Sequence, residues 1–174
     1  MEPSELARFE AAVLPHLDAA YTLARYLTRD RHDAEDAVQD AYLRALRYFD
    51  GFRGGDSRSW LLAIVRNSCY TLQQRRHREA RSTEFDEEVH TDEADVEAAD
   101  AALLRGAARA SLEEALLQLP REFREVIVLR ELQGLSYKEI SEVAGVPVGT
   151  VMSRLSRARE RLQRALGPHL EEMR

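Results

Sequence analysis

Apolar residues recur at every third or fourth position along most of the chain, which is the spacing of amphipathic helices. No stretch alternates apolar and polar residues over the length of a strand, and no internal repeat is present in the sequence. We therefore predict an all-α protein. Ahead of a final pair of helices, the predicted helices cover residues 4–28, with an interruption at Pro15, then 31–49, 57–78, 101–118 and 121–133.

The junction between the last two helices has the pattern of a helix-turn-helix. Ser136 followed by Glu139 is the S-x-x-E capping box of a helix start. Gly145 supplies the left-handed residue that ends this helix near Ala144, and Pro147 fits the first turn of the next helix. The residues predicted to form the seam between the two helices are Ile140, Val143, Val146, Val151 and Leu155.

The second helix of this pair is strongly basic. Between Pro147 and Leu166, Glu160 is the only acidic residue. A solvated helix face usually has acids interspersed among its bases, so this surplus of positive charge favours contact with DNA phosphates and base edges. The arginines of this helix are Arg154, Arg157, Arg159, Arg161 and Arg164.

The net charge of −6 conceals a segregated distribution. Residues 79–100 have a net charge of −9, whereas residues 51–78 have a net charge of +5. A highly charged segment with few large apolar residues does not bury enough surface to fold by itself. We therefore predict two small helical domains, residues 1–78 and 105–174, joined by an acidic flexible linker at 79–104.

Membrane insertion and export are not indicated by the sequence. No run of about eighteen apolar residues is present, so no transmembrane helix is predicted. The N-terminus lacks the basic and then apolar pattern of a signal peptide. Cys69 is the single cysteine and lies in an apolar helical pattern, so we predict a buried thiol and no internal disulfide. These features fit a cytoplasmic protein.

Nothing in the sequence indicates an enzyme. It contains no H-E-x-x-H motif, no paired C-x-x-C, no phosphate-binding loop and no nucleophile motif. We therefore predict no catalytic residue, no metal site and no cofactor. The histidines are scattered along the chain at His16, His32, His77, His90 and His169.

Two segments ahead of the linker complete a pattern with the helix-turn-helix. They are DAEDAVQDAYLRAL at 33–46 and FRGGDSRSWLLAIVRNSCYTLQQRRHR at 52–78. In this order, and together with residues 119–166, they resemble bacterial RNA polymerase sigma factors of the extracytoplasmic-function (ECF) type, in the sigma-70 family. Such factors contain only the second and fourth conserved regions of larger sigma factors. The resemblance implies a region 2 helical bundle, a region 4 helix-turn-helix and a non-catalytic role in transcription initiation.

The resemblance implies that the acidic helix at 33–46 docks on the clamp helices of the largest polymerase subunit. The same acids would also be favoured in a solvated first helical turn, where they interact with the helix dipole. The residues implied in binding core RNA polymerase are Asp33, Glu35, Asp36, Gln39 and Asp40.

The resemblance also implies that the glycine-containing loop at 52–57 and the helix after it melt the downstream (−10) promoter element by capturing an extruded base. An ordinary turn between helices would have similar glycines. Trp60 either stacks on a base or packs in the core, and its apolar spacing favours the core. The residues implied in this DNA contact are Arg53, Asp56, Ser57, Arg58, Asn67, Arg75 and Arg76.

For the C-terminal half, the resemblance implies that the second helix of the pair reads the upstream (−35) element. Met152 stands where the family often has a basic residue, and Ser141 replaces a usual alanine without putting the fold in doubt. The residues implied in this DNA contact are Lys138, Thr150, Ser153, Arg154, Arg157 and Arg159.

The implied partners are core RNA polymerase, promoter DNA and an anti-sigma factor, and the free chain is expected to be a monomer. No sensing segment follows Arg174, so we expect control in trans. The acidic linker would either mimic RNA near the polymerase exit path or act as a solvated spacer. The alternative to a sigma factor is an ordinary helix-turn-helix regulator with an N-terminal sensor or dimerisation domain. Against that alternative stand the two segments DAEDAVQD and WLLAIVRN, because a sensor or dimerisation domain does not require this pair.

Overall fold

The computed structural model describes residues 1–82 and 106–172, and all regular structure in these two ranges is helical. The all-α prediction is therefore confirmed. Short 3-10 turns at Leu14–His16 and Phe49–Gly51 and a π-helical turn at Val128–Leu132 lie between or after the longer helices. The α-helices of the described ranges are α1 (Pro3–Val13), α2 (Leu17–Thr28), α3 (Arg31–Tyr48), α4 (Ser57–Ser82), α5 (Gly106–Gln118), α6 (Arg121–Ile127), α7 (Tyr137–Ala144) and α8 (Val148–Glu172).

Local signals set the ends of the N-terminal helices. Pro15 lies in the 3-10 turn that separates α1 from α2, where the sequence predicted an interruption. Asp30 caps α3 by accepting a hydrogen bond of 2.9 Å from the amide of Asp33. Asp56 caps α4 in the same way, through a bond of 3.2 Å from the amide three residues on. α4 continues to Ser82 and so passes the predicted domain boundary at residue 78.

The core of the N-terminal domain forms where α2, α3 and α4 pack against one another. All the fully buried side chains of α3 are alanines at a spacing of three or four residues, and their small size lets the neighbouring helices approach closely. Cys69 of α4 is fully buried in this core, as predicted, and burial is the main cause that raises the pKa of its thiol to about 12. The larger buried side chains around the alanines are Leu23, Leu27, Leu61, Leu62 and Val65.

The helix-turn-helix forms with two departures from the prediction. Ser136 caps α7 by accepting a bond of 3.1 Å from the amide of Glu139, and Gly145 ends the helix with a φ of 68°. The second half of the capping box is absent, because the Glu139 carboxylate instead accepts a hydrogen bond from Arg58 of the N-terminal domain. Pro147 precedes the first residue of α8 and does not lie in its first turn.

The two domains pack against each other in the described part of the chain. α4 lies against α7, and α2 contacts α6 and the π-helical turn that follows it. The predicted linker at 79–104 falls almost entirely on residues 83–105, which lie outside the described ranges. The sequence did not predict how the two domains are arranged, and in the structure each domain covers part of the other.

Arg29 ends α2 in a left-handed conformation with a φ of 61°, although it has a Cβ atom and is exposed. Replacing Arg29 with glycine should raise the free energy of unfolding by roughly 0.5–1 kcal/mol, because relief of the Cβ strain outweighs the greater freedom of glycine in the unfolded chain. Arg29→Ala removes the same charge but keeps the Cβ atom, so it is the matched control and should give no such gain. Urea denaturation of both variants makes the comparison, and equal stabilities would contradict the prediction.

Candidate polymerase and nucleic-acid interfaces

The acidic residues of α3 lie on the side of the helix that faces away from the alanine-lined core. Glu35, Asp36 and Gln39 are exposed. Asp40 is also accessible, and its carboxylate pairs with Arg44 one turn further along at 2.8 Å. Four of the five predicted polymerase-binding residues therefore share one accessible face, which we call the α3 acidic face (Glu35, Asp36, Gln39 and Asp40).

Asp33, the fifth of these residues, contacts a predicted DNA-binding residue instead. Arg76 of α4 donates a hydrogen bond of 2.6 Å to its carboxylate and lies 3.9 Å from the carboxylate of Asp36. Arg75 beside it is exposed. Arg76 and Arg58 are about 27 Å apart along α4 at the helical rise per residue. The predicted downstream-element residues therefore do not form one compact site.

A cleft lies beside the glycine-containing loop that precedes α4. Gly54 and Gly55 have φ angles of 84° and 90°, which favour glycine and turn the loop sharply. The cleft has a volume of about 440 Å³. Its aromatic side consists of Phe52 and Trp60, whose ring centroids are 4.9 Å apart. Such a wall suits a flat unsaturated ring with polar edges. The polar side chains that line the cleft are Arg53, Asp56, Ser59 and, from the other domain, Glu142.

Asp56 is an ionised hydrogen-bond acceptor in this cleft. Burial pushes the pKa of Asp56 upward, but hydrogen bonds from Ser59 and the positive charge of Arg58 outweigh it, so the pKa lies below its ordinary value. The hydroxyl of Ser57 lies 3.2 Å from Nε2 of His16. The structure therefore places Ser59, which the sequence did not single out, in the cleft wall, and orients Ser57 towards α1 and α2.

Arg58 is engaged by the helix-turn-helix domain. Its guanidinium donates to the backbone carbonyl of Gln133 at 3.0 Å and to the carboxylate of Glu139 at 3.1 Å. Asn67, further along α4, is exposed. Of the predicted downstream-element residues, Arg58 is thus committed to an interdomain contact, whereas Asn67 faces solvent.

The first half of α8 presents most of the predicted upstream-element residues to solvent. Ser153 and Arg157 are exposed, and Lys138 of α7 is exposed as well. Arg159 is exposed but donates a hydrogen bond of 2.9 Å to Glu131. These side chains are positioned by the apolar seam beneath them, which contains buried Val151, Leu155 and Ala158.

Two predicted upstream-element residues are less accessible. The side chain of Arg154 is 19% exposed and lies 3.9 Å from the carboxylate of Glu122. Thr150 is half-buried, and its carbonyl accepts a bond of 3.1 Å from the Ser153 hydroxyl. Met152, which departs from the family pattern, is 53% exposed. The outer face of α8 therefore includes an apolar side chain among its polar ones.

Ser141, the second departure, has a structural role that the sequence did not reveal. Its hydroxyl donates a hydrogen bond of 2.5 Å to the carbonyl of Val146. This bond ties the turn between α7 and α8 to the helix before it, which an alanine at this position cannot do.

A buried ionic cluster, which the sequence did not predict, joins the two domains. Glu125 of α6 is fully buried and accepts hydrogen bonds from Nε of Arg66 and, at 3.0 Å, from the hydroxyl of Tyr70. The Tyr70 ring also packs against two guanidinium groups, with the Cζ atoms of Arg66 and Arg121 at 4.2 and 4.1 Å from its centroid. We name these four residues the Glu125 cluster. In the sequence, the only indication of this cluster is that Glu125 directly precedes the apolar run that starts at Val126.

Burial shifts the pKa values of two members of the Glu125 cluster. Burial raises the pKa of Glu125, while the charge of Arg66 and its hydrogen bond act in the opposite direction. Burial, together with the Glu125 carboxylate, also raises the pKa of Tyr70 to about 12, so the hydroxyl remains a donor at neutral pH. Since a buried charge without partners is costly, the cluster holds α4 and α6 in one register.

The described residues contain no group of three or more histidine, cysteine or acidic side chains placed to hold a metal ion. In the same ranges, no helix is both long and apolar enough to span a membrane.

Both halves of the chain match known sequence families. Residues 12–79 match Sigma-70 region 2, and residues 109–162 match Sigma-70, region 4. The first match contains the α3 acidic face, the cleft-lining residues from Gly51 to Ala63 and most of α4. The second contains α6, α7 and the exposed first half of α8. The order of the two matches is the order that the sequence motifs indicated.

Named relatives cover most of the chain. The RNA polymerase sigma-H factor of Pseudomonas aeruginosa is 35% identical over 172 residues, which is 94% of this chain and 89% of that protein. The ECF RNA polymerase sigma-E factor of Escherichia coli K12 is 34% identical over 143 residues, 78% of this chain and 75% of that protein.

Two solved structures have a similar fold. The sigma factor RpoE of Bartonella quintana, in complex with the anti-sigma factor NepR, matches with a TM-score of 0.73 and 30% identity over 92% of this chain and 97% of that one. CnrH in complex with the cytosolic domain of CnrY matches with a TM-score of 0.63 and 28% identity over 92% and 88%. With both conserved regions in order and relatives at this identity across most of their length, the chain belongs to the ECF type of RNA polymerase sigma factors in the sigma-70 family, which direct polymerase to promoters.

Proposed function

We propose that this sigma factor binds core RNA polymerase through the α3 acidic face. The observation that carries the proposal is that one chain presents an exposed acidic face in its region 2 domain and an exposed basic face on α8 in its region 4 domain. Carboxylates that point to solvent are free to form charge-assisted hydrogen bonds with a basic partner, and such bonds are roughly twice as strong as neutral ones. Asp33 is already bound by Arg76, so we assign it to holding α3 against α4.

The second part of the proposal is that the cleft beside α4 captures an unpaired base of the downstream element. Phe52 and Trp60 offer an aromatic surface, and stacking on such a surface contributes about 1–3 kcal/mol per base. The pKa of Asp56 lies below its ordinary value, so its carboxylate is ionised and would accept hydrogen bonds from a base edge. Asn67 and Arg75 lie further along α4, where they would hold the strand. Strand opening is then driven by base capture, and nucleotide hydrolysis is not needed.

The third part of the proposal is that the first half of α8 reads the upstream element in the major groove. Ser153 and Arg157 are exposed there and offer a hydroxyl and a guanidinium to base edges and phosphates. Met152 suits an apolar contact, for example with a thymine methyl group. Arg154 is less accessible, so we assign it a supporting role beneath this face.

We also propose an anti-sigma factor as a partner, acting in trans in the cytoplasm. Of the two structural neighbours, one is the sigma factor RpoE in complex with the anti-sigma factor NepR, and the other is CnrH in complex with the cytosolic domain of CnrY. The match with this chain covers 97% of the first of those chains and 88% of the second. A protein that covered the α3 acidic face or the outer face of α8 would block the contacts proposed above.

Run-off transcription tests the proposed function directly. Purified protein added to sigma-free core polymerase, on a fragment that carries the region upstream of its own gene, should yield a defined transcript that depends on this protein. A housekeeping sigma factor serves as the positive control for the core. Absence of a transcript together with absence of co-migration with core on a sizing column would refute sigma activity and favour the plain helix-turn-helix regulator.

Charge reversal on α3 tests the polymerase contact. Glu35→Arg should weaken binding to core polymerase by about tenfold or more, because a hydrogen bond to a charged group contributes about 1.5–3 kcal/mol and is replaced by repulsion. Glu10→Arg makes the same reversal at an exposed position on α1 and should leave binding unchanged. Fluorescence anisotropy of labelled protein titrated with core makes the measurement. Equal affinities of the two variants would remove α3 from the polymerase interface.

Salt dependence tests the upstream-element contact. Arg157→Ala should weaken binding to duplex DNA of the upstream element and lower the slope of log affinity against log salt by about 1, because one phosphate-neutralising charge is lost. Arg164→Ala removes an exposed arginine two turns further along, which pairs with Glu160 at 3.3 Å, and should change the slope little. If the Arg157 variant has the same slope of log affinity against log salt as the wild type, this side chain lies outside the DNA interface.

A further inference from the structure

The π-helical turn Val128–Leu132 brings an acidic side chain against α8. In this turn the amide of Gln133 donates a hydrogen bond of 3.1 Å to the carbonyl of Val128, five residues back, so the helix is wider here than an α-helix. Glu131, in the middle of the turn, has a side chain that is 53% exposed. Its carboxylate accepts a hydrogen bond of 2.9 Å from Nη2 of Arg159. The π-helical turn is thereby joined to α8 through one charged pair.

Two further side chains fix this pair in place. Arg130 donates a hydrogen bond of 2.8 Å to the carbonyl of Leu135, and its Cζ atom lies 4.8 Å from the centroid of the Tyr137 ring. Tyr137, the first residue of α7, in turn forms a side-chain hydrogen bond with Arg159. We call these four residues the Arg159 network (Arg130, Glu131, Tyr137 and Arg159). The network connects the π-helical turn, the start of α7 and the middle of α8.

The Arg159 guanidinium remains available to a ligand within this network. The Arg159 side chain is 45% exposed. A guanidinium has five N–H donors, and Glu131 and Tyr137 use only part of them. The hydrogen bond to Glu131 outweighs burial and, together with the one to Tyr137, raises the pKa of Arg159 above its ordinary value, so the group stays charged. Arg159 is therefore a cation in a fixed orientation that still has donors to offer.

Arg159 lies on the side of α8 that carries Met152. The two residues are seven positions apart in the sequence, which is two helical turns, or about 10 Å along the axis. Met152 lies in the first half of α8, for which we propose contact with base edges. Since the N-terminal residues of a recognition helix read base edges, a guanidinium two turns further along the same side meets the phosphate backbone at the edge of the groove.

An acid beside a DNA-binding arginine has two opposite effects on binding. The negative charge of Glu131 repels phosphates, so on charge alone its removal should tighten binding. Its hydrogen bond, however, holds a long side chain in one orientation, and a preorganised side chain loses less conformational entropy when it binds. The carboxylate is already paired with Arg159 at 2.9 Å, which cancels most of its repulsion. The orienting effect therefore prevails.

We propose that Glu131 is a positioning residue for upstream-element recognition, which holds the Arg159 guanidinium in the orientation that binds a backbone phosphate. This inference rests on the proposed function of α8 and adds to it a residue that belongs to neither helix of the helix-turn-helix. Arg130 and Tyr137 support the same orientation from the other side. Because phosphate contacts fix how a protein sits on the duplex, the network sets the register of α8 in the groove.

A double-mutant cycle on the full-length chain tests the proposal, with labelled duplex DNA of the upstream element from the promoter mapped by run-off transcription. Glu131→Ala should weaken binding by about threefold or more, because Arg159 then loses its fixed orientation. Arg159→Ala should also weaken binding and should lower the slope of log affinity against log salt by about 1. In the Arg159→Ala background, Glu131→Ala should cause no further loss, because the side chain that it positions is gone.

Two matched variants separate orientation from charge. Glu131→Gln removes the charge but keeps an oxygen that accepts a hydrogen bond from Arg159, so it should recover most of the affinity that Glu131→Ala loses. Glu160→Ala removes an acid of α8 that pairs with Arg164 at 3.3 Å, outside the Arg159 network, and should not weaken binding.

Two results would overturn the positioning role of Glu131. Unchanged or tighter binding by Glu131→Ala would mean that only its charge matters. An equal loss in the Arg159→Ala background would mean that Glu131 acts on the fold of the domain and not through Arg159. If Arg157→Ala leaves the salt slope unchanged, the proposed function of α8 itself fails. If Arg157→Ala lowers the slope while Glu131→Ala has no effect, only the positioning role fails.

Discussion

The buried carboxylate of Glu125 is the constraint on which the arrangement of the two domains depends. An ionised group away from water is tolerated only with charged and hydrogen-bonding partners, and loss of one partner of such a pair costs about 3–5 kcal/mol. Here both donors, Arg66 and Tyr70, belong to α4 of the other domain. α6 must therefore sit where these two side chains reach it. Because desolvation of the charges offsets much of their attraction, the cluster specifies the register more than it adds stability.

The register of α6 against α4 determines which charged side chains remain accessible to other molecules. The interface pairs basic residues of α4, such as Arg58 and Arg66, with acids of α6 and α7. The surfaces left exposed include acids on the outer face of α3 and bases on the outer face of α8. The α3 acidic face and the outer face of α8 remain accessible on the same chain, and they are the two surfaces for which we propose polymerase and upstream DNA as ligands.

Local features of the fold were predictable because they depend on interactions between residues that are close in the sequence. Helical periodicity, the Ser136 cap and the left-handed Gly145 depend on a few neighbouring residues, and each was confirmed. The long-range contacts were not predictable, because a side chain that meets another domain has the same spacing as one that meets water. The sequence predicted that the Glu139 side chain completes a capping box. In the structure its carboxylate instead accepts a hydrogen bond from Arg58, which lies eighty-one positions away in the chain. The spacing of Glu125 likewise does not distinguish it from a solvent-exposed acid on a helix.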